Sequence, residues 1–349
     1  MSETENTAPL KVSYRENAEK LMDPSYLDTK TMEEIYEKVY KEKKPIIEGL
    51  LYPCTYLFVG APKLGKSFMM LQLAYHVSTG TPLWNYPVNQ GDVLYLALED
   101  DYYRLQKRLY RMFGAESTDK LHLAITSNQL DNGLDKQLER FVQEYPETRL
   151  IIIDTLQKIR ETGGSDFNYI NDYQLMSNLK RISDSKGICL LIVHHTRKQK
   201  ADDIFDMISG TTGLYGGADG AFVLYKDKRT SSEAMLDVSG RDQQDQRFTL
   251  NKNPETLLWE LVSVEAEPYK EPPEPLLEKI AEIITAESPS WQGTSTELAN
   301  LLGVDIQPNK LTQKLNINAG KLLNDYGIEY ANSRNHNGRT VAFQLKKPF

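Results

Sequence analysis

The stretch Thr55–Ser67, TYLFVGAPKLGKS, decides how the rest of the chain is read. Thr55 to Val59 is a short β-branched and aromatic run, and Gly60, Gly65, Lys66 and Ser67 complete the pattern G-x-x-x-x-G-K-[ST]. An apolar helical pattern follows at once, FMMLQLAYHVSTG, with Gly80 as its expected C-cap. Strand, glycine loop and helix in that order predict a phosphate cradle over Gly60, Ala61, Pro62, Lys63, Leu64, Gly65, Lys66, Ser67 and Phe68. The glycines let backbone N–H groups close on phosphate oxygens where a side chain would stand in the way. The helix N-terminus adds its partial positive charge. Lys66 is the expected partner of the β- and γ-phosphates, and the Ser67 hydroxyl the expected ligand of Mg²⁺, with ATP as the nucleotide.

At 349 residues the chain exceeds one typical domain and can bury a large core. A net charge of −8 excludes a globally basic nucleic-acid binder, so any such contact must come from local patches. The two cysteines, Cys54 and Cys189, lie in apolar strand-like runs and read as reduced core residues. MSETENTAPL lacks a basic-then-apolar signal and no apolar run reaches membrane-spanning length, so a cytoplasmic location without membrane contact is expected.

Along the chain, residues 1–48 read as a polar tail and a helical arm, with Met32, Ile35, Tyr36, Val39 and Tyr40 on one face. The arm is expected to pack on the domain it precedes. Apolar strands alternate with amphipathic helices over 49–264, then strands follow one another without helices. That order predicts an α/β domain, a mainly parallel sheet sandwiched by helices with an antiparallel extension. EAEPYKEPPEP, 265–275, is acidic and proline-rich and reads as a linker. Over 276–349, three helix patterns precede two alternating strands around Asn337-Gly338, the order of a small winged-helix domain.

Five further residues carry candidate chemistry. Asp154 ends the apolar run LIIID and, on a strand expected beside that of the phosphate loop, would hold the Mg²⁺ water shell. Glu99 heads an acidic triplet, and a carboxylate there suits a general base that orients the attacking water, while Asp100 or Asp101 caps the next helix. His194 and His195 end a buried strand, and the loop after them carries Arg197, Lys198 and Lys200, suited to phosphate-backbone contact or to solvent. Arg241 lies just past a strand end among polar residues, where a guanidinium offered to a neighbour's γ-phosphate would stabilise transition-state charge.

With GAPKLGKS, YLALED, LIIIDTLQKI, LIVHHTRK and VSGRDQQDQ in place, residues 45–265 resemble a RecA-type ATPase, and more narrowly the RepA-like and DnaB-like hexameric replicative helicases of mobile elements. The resemblance implies a RecA-like fold, with Glu99 as the catalytic glutamate and His195 as the γ-phosphate sensor. Arg241 falls on the arginine finger that acts in trans, although Ser239 stands where DnaB-type enzymes carry a lysine. It further implies a hexameric ring that holds single-stranded DNA on loops at Arg160–Asn168 and Thr196–Gly217. The C-terminal module is similar to winged helices of mobile-element helicases and primases, with duplex DNA as its expected partner. A filament-forming strand-pairing mediator and an ATP-binding winged-helix regulator are the alternative functions for the same residues.

Overall fold

The computed structural model describes residues 22–40, 42–160, 169–197, 203–208, 212–228, 231–241, 243–266, 274–335 and 338–346. The chain divides into two units, one of Lys43–Lys270 and one of Met1–Glu42 with Glu271–Phe349. Helix α1 (Met32–Tyr36) belongs to the second.

The first unit begins with β1 (Thr55–Gly60), α2 (Lys66–Thr79), β2 (Asp92–Ala97), α3 (Tyr102–Phe113), β3 (Leu121–Ala124), α4 (Leu134–Glu144) and β4 (Thr148–Asp154). It continues through α5 (Leu156–Ile159), α6 (Tyr169–Lys186), β5 (Cys189–His195), α7 (Thr212–Gly217) and β6 (Gly220–Tyr225) to the strands β7 (Glu233–Gly240), β8 (Gln243–Lys252) and β9 (Trp259–Ala266). One sheet contains all nine strands in the order β3-β2-β4-β5-β1-β6-β7-β8-β9. The first six run parallel and the last three antiparallel.

The inner parallel strands are largely apolar because both their faces are covered, whereas β3 at the edge is only partly buried. On β1, Tyr56 and Phe58 join one core with Met69, Met70 and Leu105, whereas Leu57 and Val59 join another with Leu138, Met176 and Leu179. Helices α2 and α3 thus cover one face, and α4 and α6 the other. Gly80 ends α2 in the left-handed conformation, as a C-cap should.

β5 lies between β4 and β1, so the expectation that Asp154 sits on the strand beside the phosphate loop is corrected. β8 is a second departure, because its first half, QQDQR, carries no apolar pattern. Only Phe248 and Leu250 of that strand are fully buried, and pairing with β7 and β9 holds the rest in place.

The second unit comprises α1, α8 (Pro275–Ile283), β10 (Ser290–Thr294), α9 (Ser295–Leu302), α10 (Pro308–Ile317), α11 (Ala319–Tyr326), β11 (Ile328–Asn335) and β12 (Gly338–Leu345). Its three strands form an antiparallel sheet in the order β10-β12-β11. Strand β10, missing from the sequence reading, is anchored by Trp291 against Phe343. The expected third helix is two helices. Asn318 leaves the helical conformation between them, and its Nδ2 donates to the Lys314 carbonyl at 2.8 Å.

The arm also departs from expectation. Its helix lasts five residues, and it docks on the C-terminal module rather than on the domain it precedes, with Asn316 Nδ2 donating to the Tyr36 carbonyl at 2.9 Å. Ile35, Val39 and Tyr40 remain exposed, so no buried face extends the helix. Ile46 and Ile47, assigned from sequence to the arm, are core residues of the first unit, while Glu265 and Ala266 of the expected linker belong to β9. Among the described residues no helix is long and apolar enough to cross a membrane.

Candidate functional site

Every candidate position on the parallel strands lies at or just beyond a strand's C-terminal end. β1 delivers Gly60, opposite His195 of β5 and Leu224 of β6. A Cβ on Gly60 would come within 2.7 Å of the Leu224 carbonyl oxygen, so only glycine lets the chain leave the sheet there. Gly65 has φ +110°, and a Cβ on it would lie 3.0 Å from the Trp259 ring. Both motif glycines therefore have a packing reason as well as a phosphate-binding one.

Lys66 opens α2, and its ammonium is buried against the loop. Nζ donates to the Gly60 carbonyl at 2.8 Å and the Ala61 carbonyl at 3.1 Å, and lies 3.2 Å from His195 Nδ1. Burial holds Lys66 below the usual lysine range, against the pull of Asp154 and Glu99. An ammonium only donates, so Nδ1 of His195 accepts and its proton sits on Nε2. Burial, and then the Lys66 charge, push the His195 pKa down, which keeps the imidazole neutral. His194 is buried within the sheet and does not take this place.

Asp154 is reached from two sides. Ser67 Oγ donates to its Oδ2 at 2.8 Å and the Tyr95 hydroxyl to the same oxygen at 2.9 Å. Burial raises the carboxyl pKa, and these two donors oppose the rise. The Ser67 hydroxyl and the Asp154 carboxylate are adjacent hard oxygen donors beside a glycine cradle, a set that fits Mg²⁺. These two residues would hold it, and the ion would supply positive charge to offset that of the phosphates.

Glu99 follows β2 and is exposed, with Thr155 Oγ1 donating to its Oε1 at 3.3 Å. Its neighbours have other work. Asp101 caps α3 by accepting from the Arg104 N–H at 2.8 Å, and Asp100 pairs with Arg104 and Arg108. Of the acidic triplet, only Glu99 is left to face the loop.

The structure does not bring Arg241 to its own phosphate loop. It sits in the β7–β8 turn, exposed, with Nη2 donating to the Gly216 carbonyl at 3.2 Å and Nη1 3.8 Å from Asp219. Gly220 pairs with Tyr56 on one side and Gly240 on the other, which puts the turn at the opposite end of β1 from Gly60. Residues 161–168 and most of 198–211, which include Lys198 and Lys200, lie outside the described residues. So do His336 and Asn337 of the C-terminal hairpin.

Several contributors escaped the sequence reading. Tyr95 sits mid-strand in an apolar run, and a buried phenol needs a partner, which is the signal that points to it. Gln72 interrupts the apolar face of α2 for a reason: its side chain accepts from the Trp259 N–H at 2.8 Å and donates to the Trp259 carbonyl at 2.9 Å. The Trp259 indole N–H then donates to the Gly65 carbonyl at 3.3 Å. Lys252 of β8 lies over the Phe68 ring, 3.6 Å from its centroid, and nothing in its sequence context announces it.

The sequence model of the AAA domain family matches residues 23–201. No curated protein matches the chain. Among solved structures, an isolated ATPase domain superposes with a TM-score of 0.53 at 13% identity, covering 74% of this chain and 100% of that one. A second, "The Structure Of A DnaB-Like Replicative Helicase And Its Interactions With Primase", gives a TM-score of 0.53 at 16% identity, over 74% of this chain and 73% of that one. At these identities the likeness is one of fold, and it is the RecA-like fold expected from the motifs.

Proposed function

The chain belongs to the AAA domain family, and from that premise we propose that it is an ATP-hydrolysing, ring-forming RecA-type motor acting on DNA, a replicative helicase of a plasmid, phage or integrated mobile element. One observation carries this reading. The candidate groups for phosphate, metal and water gather around Gly60–Ser67, while Arg241 is exposed in the β7–β8 turn, level with the opposite end of β1. A site complete except for its arginine, with an arginine presented on the opposite edge, suits assembly in which each protomer finishes its neighbour's site.

In this reading Lys66 exchanges its carbonyl contacts for the β- and γ-phosphates. Glu99, steadied by Thr155, orients the attacking water and takes its proton. Neutral His195 lies where it can donate Nε2–H to a γ-phosphate oxygen and pass nucleotide state to the loop that follows. Arg241 acts on the neighbouring protomer. Six subunits would close the ring, with single-stranded DNA held by loops at 160–168 and 196–217. The winged-helix unit would take duplex DNA.

Steady-state ATP turnover with and without single strands, paired with negative-stain images in a non-hydrolysable analogue, tests the proposal. Closed rings and strong stimulation by single strands are expected. Filaments would favour the strand-pairing mediator, and negligible turnover with duplex-specific binding the regulator.

A further inference from the structure

The antiparallel extension brings a cation to the phosphate loop that the motif does not contain. Lys252 is the last residue of β8 and pairs in register with Trp259 of β9, the tryptophan that holds Gly65. Its Nζ lies 3.6 Å from the Phe68 ring centroid and 3.3 Å from the point where a Cβ on Gly65 would stand. Thus Lys252 rests on both ends of the segment Gly65–Phe68, from outside the loop.

Its surroundings are of its own sign. The charges acting on it are those of Lys226, Arg108 and Arg111. Each of these has a partner: Lys226 donates to the Ser231 carbonyl, Arg108 pairs with Asp100, and Arg111 donates to the carbonyls of Pro254 and Glu255. Among the described residues, Lys252 has no carboxylate within ion-pair distance. Half-buried against two aromatic rings, it is an ammonium with no anionic partner among the described residues. Burial and these cations push it down to about 8, the direction an anion would reverse.

The direction of a bound nucleotide decides which anion fits. Asp154, His195 and Glu99 all follow strands on the β5 side of β1, so the γ-phosphate end faces that side. A triphosphate bound that way would extend its other end along Gly65 and the first turn of α2, where Lys252 and Trp259 of β8 and β9 lie. Resting on the proposed reading of this loop as an ATP site, we propose that Lys252 is a binding residue of its own protomer's nucleotide site and that its ammonium takes the α-phosphate. The phosphate loop is then completed from the far half of the sheet, beyond the residues that the family model matches.

Equilibrium binding of ADP and of inorganic pyrophosphate to the full chain tests this with Lys252→Met and, should that variant fold poorly, Lys252→Gln. A charge-assisted contact predicts ADP affinity lowered on the order of tenfold, with pyrophosphate, which needs only the β/γ cradle, nearly unchanged. Lys252→Arg, which keeps the charge, restores most of the loss. Lys66→Ala serves as the control for the site itself. If Lys66→Ala abolishes ADP binding while Lys252→Met leaves it intact, the loop is a nucleotide site and the Lys252 proposal is wrong. Equal losses for ADP and pyrophosphate would overturn it too, because Lys252 would then only be propping the loop. If Lys66→Ala binds ADP like the wild type, the underlying reading of the loop fails instead.

Discussion

The two halves of the central sheet meet at one loop but are built on different terms. The parallel half is buried on both faces, and its strands are written in nearly unbroken apolar residues. The antiparallel half is covered less evenly, with β8 and β9 each keeping several exposed positions. Yet Trp259 and Lys252 of that half also touch the phosphate loop. The chemistry of the site is concentrated in one half, and the support of the loop is shared with the other.

Breaking the parallel half should have the largest effect. Lys66→Ala removes phosphate neutralisation and should reduce ATP turnover to background, together with nucleotide binding. Glu99→Gln should bind ATP normally and lose about two to four orders of magnitude in kcat, the range of a lost general base. Turnover near the wild-type rate in that variant would move the base elsewhere, and Asp100 is poorly placed to inherit it because it already pairs with two arginines.

Perturbing the antiparallel half should cost less and act through the loop's shape. Gly65→Ala meets both a left-handed backbone and the Trp259 ring, so lowered nucleotide affinity and a lower Tm are expected together. Trp259→Phe keeps most of the buried ring but loses the N–H to Gly65, a contact worth about 1 kcal/mol. Its nucleotide affinity should fall several-fold. An affinity unchanged in both variants would mean that β9 packs beside the loop without shaping it.

The smallest effect expected is a pH dependence. Lys252 sits at about 8 in the folded protein, below its unfolded value, so between pH 8 and pH 10 the unfolded chain binds the extra proton. Stability therefore gains a contribution as pH rises through that window. Denaturation midpoints of nucleotide-free wild type should rise relative to Lys252→Met over the window, and parallel curves would contradict the assignment.

This division also explains what the sequence disclosed. A strand covered on both faces is written in apolar residues, so LIIID and ICLLIVHH could be read with their ends, at Asp154 and at the pair His194–His195, and the choice of His195 within that pair came from the family resemblance. The place of Glu99 was legible for the same reason, and the loop itself from its glycine and lysine spacing. QQDQRFTLNK was not, because neighbouring strands rather than its own side chains fix its place. Lys252 could not be found without that strand. The order of strands was equally hidden, since an apolar run does not say which run lies beside it, and β5 intervened where direct contact was expected. The arm misled for a related reason: its apolar face is real but stays exposed, and Asn316, far along the chain, decides where it docks.

Arg241 remains the test of the central claim, that each site is finished by a neighbouring protomer. Arg241→Ala should leave ATP binding nearly intact and cost on the order of a thousandfold in hydrolysis. The direct measurement mixes Arg241→Ala protein with Lys66→Ala protein, each inactive alone, and follows ATP turnover across ratios. Mixed assemblies contain boundaries where an intact Lys66 faces an intact Arg241, so recovered turnover with a maximum at intermediate ratios is predicted. No recovery at any ratio, in assemblies shown to contain both variants, would contradict it.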